Sequence, residues 1–97
     1  MITNPKAALA IQHAAQENNN ALKLDGFDNA IIATADVWHP NGTRPTLLVY
    51  STQKILDIIM EDDISYEDAI EYFYYNIHGS YMGPNTPIII NDLPNYQ

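Results

Sequence analysis

The sequence predicts an α+β fold: a small antiparallel sheet, made of a hairpin plus a short C-terminal strand, packed against a helical pair, with a peripheral N-terminal helix. Three observations predict it. Two β-rich runs flank an Asn-Gly turn, two apolar stretches each start at a capping serine, and a run of isoleucines comes late in the chain. At 97 residues the chain has room for one core, so residues 1–97 read as a single domain. Within it, 1–20 form the peripheral helix and 25–90 the core.

Asn4-Pro5 reads as an N-cap followed by proline at the first helical position, and the helix runs to about Glu17 before Asn18-Asn19-Asn20. Its apolar face is mostly alanine, which predicts loose packing at the domain's edge. Asp25-Gly26 and Asp28-Asn29 are turn residues. Ala30 to Trp38 alternates, with Ile31, Ala33, Ala35 and Val37 on one face and Ile32, Thr34, Asp36 and Trp38 on the other. Thr46 to Tyr50 is the second strand, joined to the first through Asn41-Gly42 between two prolines.

Ser51 begins a largely buried helix, with Tyr50 stapled onto Ile55 and with Gln53, Asp57 and Glu61 left outward. Ser65 begins the next, with Ile64 facing Ala69, and this helix runs to about His78 and stops at Gly79. Pro87 to Ile90 is a short third strand.

Four bases against twelve acids leave a net charge of −8, which argues against sequence-independent nucleic-acid binding. Cysteine is absent, so thiolate chemistry and disulfides are excluded. The N-terminal segment has neither an apolar signal core nor a membrane-length apolar run, which predicts a cytoplasmic protein with no membrane contact. Charge is unevenly placed. Seven of the twelve acids lie between Asp57 and Glu71, with no base between them.

On a helical wheel, Ala69, Ile70, Phe73 and Ile77 fall within about 60° of Tyr66 and form the core stripe with it. Glu67, Asp68, Glu71, Tyr72, Tyr75 and His78 fall opposite. Two tyrosines among carboxylates on a face the core does not use read as a protein-binding surface, with Asp68, Glu71, Tyr72 and Tyr75 as contact residues. The competing reading packs both rings on the N-terminal helix or a loop. The acids likewise have two readings. Asp63, Glu67 and Asp68 suit a helix N-terminus, whereas Glu61 and Asp62 sit where the helix dipole disfavours them, as a complement to a basic partner would.

No EF-hand loop, no helical histidine pair, no phosphate-cradling glycine loop and no Gly-x-Ser-x-Gly occurs. The sequence therefore predicts no metal, no cofactor and no catalytic residue. His39, beside Trp38 in a turn, reads as a surface residue.

Asp28 to Ala35, Leu48 to Leu56 and Glu67 to Asn76 resemble a family of small uncharacterised tailed-bacteriophage proteins. The most specific part is the ending Tyr75-Asn76-x-x-Gly79-x-Tyr81-x-Gly83-x-x-Thr86-Pro87-Ile88. The N-terminal helix and the loop carrying Trp38 and Pro40 depart from the family pattern. The resemblance implies the cytoplasm of an infected cell and brings no catalytic residues. Three functions are consistent with these readings. The first is a non-enzymatic phage accessory protein that modulates a host or anti-phage defence protein with a basic surface. The second is an oligomer-forming or particle-associated protein. The third is a binder of a nucleotide-like ligand through Tyr74, Asn76, Tyr81 and Thr86.

Overall fold

A computed structural model describes residues 3–79 and 81–93. The order is α1 (Pro5–Glu17), β1 (Ile31–Asp36), β2 (Thr46–Ser51), α2 (Thr52–Met60), α3 (Tyr66–Phe73) and β3 (Ile88–Ile90). A 3-10 turn at Asp28–Ala30 leads into β1, and a π-helical turn at Tyr74–His78 extends α3. The fold is α+β.

Asn4 caps α1 by accepting from the Lys6 amide, with Pro5 as the first helical residue. The helix is not peripheral. Ala7, Ala10 and Ala14 are buried in the core, and a methyl-sized face lets the backbone lie close to the sheet. Asn18 secures its far end, donating from Nδ2 to the Thr46 carbonyl (3.0 Å) and to Asn85 Oδ1 (2.9 Å).

β1 and β2 pair antiparallel around the Asn41-Gly42 turn, where Gly42 takes φ +88°. The expected alternation fails at one point. A bulge between Ile31 and Ala33 shifts the register, so Ile31 opposes Tyr50 while Thr34, not Ala33 or Ala35, opposes Leu48. Ile31, Thr34, Leu48 and Tyr50 thus share the core-facing side, and Ala33 and Ala35 lie on the other with Val49 and Leu47. β3 is also a correction. It joins β2 in parallel, Val49 opposite Ile88 and Ser51 opposite Ile90, which makes the sheet mixed rather than antiparallel. The intervening helical pair carries the chain back before β3 begins, as a parallel crossover requires.

The entry to α2 is tied twice. Ser51 Oγ accepts from the Lys54 amide (3.1 Å), while Asp92 accepts from the Gln53 amide (3.0 Å) and the Ser51 hydroxyl (2.5 Å). Burial would raise the Asp92 carboxyl, but these two donors, with its own amide and the charge of Lys54, outweigh it and hold it below the ordinary aspartate range. Thr52 Oγ1 donates to the Ile90 carbonyl (2.6 Å) and closes the latch between β3 and α2.

Tyr50 and Ile55 are fully buried, as their staple positions require. The Tyr50 hydroxyl accepts from the Leu24 amide (2.8 Å). Burial pushes its pKa up to about 12, assisted by the charge of Asp28 and opposed by the Leu24 amide.

Candidate functional site

α3 starts at Ser65, whose hydroxyl accepts from the Asp68 amide (3.2 Å). Ala69, Phe73 and Ile77 are buried, with Ile70 packed against them. Tyr66 is the exception to the expected stripe, being 45% exposed. A helical side chain leans over the preceding turn, and the first residue of a helix has none to cover. Glu67, Asp68, Glu71, Tyr72, Tyr75 and His78 are all exposed. Tyr75 is 84% accessible and stands free of the fold, whereas Tyr72, at 47%, is about half covered beside the turn at 25–27.

Beyond Phe73 the helix widens. The π turn from Tyr74 to His78 keeps Ile77 buried and turns Asn76 back to donate to the Tyr72 carbonyl (3.1 Å). The helix ends at Gly79 as expected, but with φ −93° rather than in the left-handed conformation.

The contact residues come together. Asp68, Glu71, Tyr72, Tyr75 and Asn76 line a groove of about 360 Å³ with Ile64. It joins a second depression of about 350 Å³ through Ile64 and Tyr72, where Phe27 and Ile58 supply apolar surface and Asp25 and Asp62 the edges. That continuation comes from the turn at 25–27 and the end of α2, elements distant in sequence. The clue in the sequence was the placement of Asp62 at a helix end, against the dipole.

The turn after α2 shows the local geometry. Asp62 and Asp63 donate their amides to Ile59 and Met60 carbonyls (3.4 and 3.2 Å), and Asp63 takes the left-handed conformation at φ +62°. A non-glycine residue there costs about 1–2 kcal/mol. The fold spends it to reverse the chain into Ser65.

The four residues of the nucleotide-like site separate. Tyr81 and Thr86 line a cleft of about 220 Å³ with His78, Pro87 and Ile89, whereas Asn76 belongs to the acidic groove. Tyr74 lies tilted against His78 (5.0 Å between ring centres) and edge-on against Phe73 (5.3 Å). The Thr86 hydroxyl donates to the Gly83 carbonyl and accepts from the Met82 amide (both 2.7 Å), so it closes its own turn. The cleft is smaller than the roughly 300 Å³ at which ligand pockets begin.

His39 is partly buried, not simply exposed, and its Nε2 meets the Pro84 carbonyl at 3.1 Å. Trp38 beside it is 70% exposed with the Arg44 guanidinium 5.4 Å from its ring centre, a cation–π geometry. Among the described residues no group of three or more His, Asp or Glu side chains is placed to hold a metal ion. No helix among them is long and apolar enough to cross a membrane. No protein-family model, curated protein or solved structure matches the chain.

Proposed function

We propose that the chain is a non-enzymatic accessory protein that binds and modulates a partner protein through the outer face of α3. One observation carries this reading. Tyr75 stands 84% exposed on a helix face shared with Tyr72, Asp68 and Glu71, where no packing need within the fold accounts for it. A phenol ring offers a large apolar contact and a hydroxyl with few rotatable bonds, which is why tyrosine concentrates at binding hot spots. The carboxylates on the same face favour a partner with a basic surface and speed its encounter. The resemblance of the ending from Tyr75 to Ile88 to small tailed-bacteriophage proteins supports a partner among host or anti-phage defence proteins, met in the cytoplasm of an infected cell.

The test compares the natural chain with Tyr72→Ala/Tyr75→Ala in affinity capture from host lysate. The expected result is loss of the captured partner with an unchanged melting temperature. Equal capture by both chains overturns the reading.

A second reading is self-association. His39 against Pro84 joins the hairpin loop carrying Trp38 to the loop carrying Tyr81, and both aromatic side chains are at least 70% exposed. Light scattering across a concentration series separates the two: a dimer or larger ring lost on Trp38→Ser/Tyr81→Ser favours this second reading.

A further inference from the structure

We infer that the groove running from Tyr75 past Tyr72 to Phe27 takes a linear basic segment of the partner, one with two large apolar side chains flanked by lysine or arginine. This rests on the binding face proposed above and names what that face recognises. The two depressions meet at Ile64 and Tyr72, so their floors form one continuous apolar strip with a seat on either side. Each seat has its own pair of carboxylates: Asp25 and Asp62 beside Phe27 and Ile58, Asp68 and Glu71 beside Tyr72 and Tyr75. Among the described residues, no lysine or arginine lines either seat. Apolar floor with acidic edges is the complement of a basic segment with apolar anchors, and periodic anchors laid into such a groove are a recurrent mode of peptide recognition.

A second copy of this chain does not fit that description. Its net charge is −8, and its bases, Lys6, Lys23, Arg44 and Lys54, are too far apart in sequence for two to flank one short segment. Lys23 is also paired with Asp28 at 3.3 Å. The charge complement must come from another protein.

The test is selection of a random-peptide display library on the full-length chain, followed by titration of the synthesised consensus peptide. The expected consensus has two large apolar residues with flanking lysine or arginine. Its binding should weaken as salt is raised, by about tenfold or more with Tyr72→Ala, and several-fold with Asp25→Asn/Asp62→Asn. The aspartates are exposed, so the second variant leaves folding intact and keeps the test independent of stability. A neutral or acidic consensus overturns the inference; if such a peptide is still lost with Tyr72→Ala/Tyr75→Ala, the binding face itself stands. A basic consensus indifferent to Tyr72 and to the aspartates overturns the inference and the face together. Failure to enrich any peptide overturns the linear segment, while capture from lysate continues to judge the face.

Discussion

α1 and α3 face opposite problems with the same secondary structure. α1 meets the core through Ala7, Ala10 and Ala14, the smallest side chains that still favour a helix, and leaves Leu9 in water. α3 and its π turn bury Ala69, Phe73 and Ile77 and leave four tyrosines exposed to differing degrees, Tyr66, Tyr72, Tyr74 and, most of all, Tyr75. The first arrangement sets distance, because small side chains let a helix approach the sheet. The second keeps more aromatic surface in water than its core contacts need, and surplus of that kind is informative about binding. Amount of apolar character does not separate the two helices; its placement does.

Substitutions can break this comparison. Phe73→Ala should cost most, about 3–5 kcal/mol in urea unfolding, because a buried ring leaves a cavity the fold cannot close. A loss below about 1 kcal/mol would mean that Phe73 is not an anchor of the core. Ala14→Leu should cost about 1–3 kcal/mol by overpacking against the sheet. A neutral result would mean that α1 packs loosely after all. Asn18→Ala should cost about 1 kcal/mol, since it removes the side-chain donor to the Thr46 carbonyl. Tyr75→Ser, on the wet face, should stay within about 0.5 kcal/mol of the natural chain, and a larger loss would move that ring into the fold.

Acid sharpens the comparison further. The clamp on α1 is a neutral amide, whereas the latch on α2 is Asp92, whose carboxyl is held below its ordinary range by the Gln53 amide and Ser51 hydroxyl. A depressed folded pKa stabilises above the unfolded value of about 3.9 and loses that contribution as pH falls through the folded one. Asp92→Asn should therefore cost about 1 kcal/mol or less near neutrality, at the low end because the site is partly solvated, and progressively less below pH 4. Melting curves of both chains across acid pH measure the difference. A constant gap would show that the latch does not titrate.

Much of this was legible in the residues, and all but one of the exceptions share a cause. Capping at Asn4, Ser51 and Ser65 is local chemistry, as is the Asn41-Gly42 turn, and the structure has each where its neighbours predict it. The wet face of α3 followed from helical spacing alone. What escaped depends on partners far along the chain. The bulge after Ile31 answers to β2, the parallel entry of β3 answers to the helical pair, and the burial of α1 answers to the sheet. Tyr66 escaped for a different reason: a wheel has no ends, and that residue sits at one. The groove beyond Tyr72 required Phe27 and Asp25 to arrive from another element, which no spacing rule within α3 could foresee.

The parallel seat of β3 has a consequence for the order of assembly. The hairpin zips outward from Asp36 and Thr46, close neighbours in sequence, but β3 must find β2 across both α2 and α3 before its three residues gain a ladder. Closing the longer loop is the slower step, and a three-residue edge held by Asp92 and Thr52 is a small cooperative unit. Amide protons at Ile88 to Ile90 should thus trade for deuterium well ahead of those in the hairpin, through an opening that releases the final strand while the remaining sheet stays zipped.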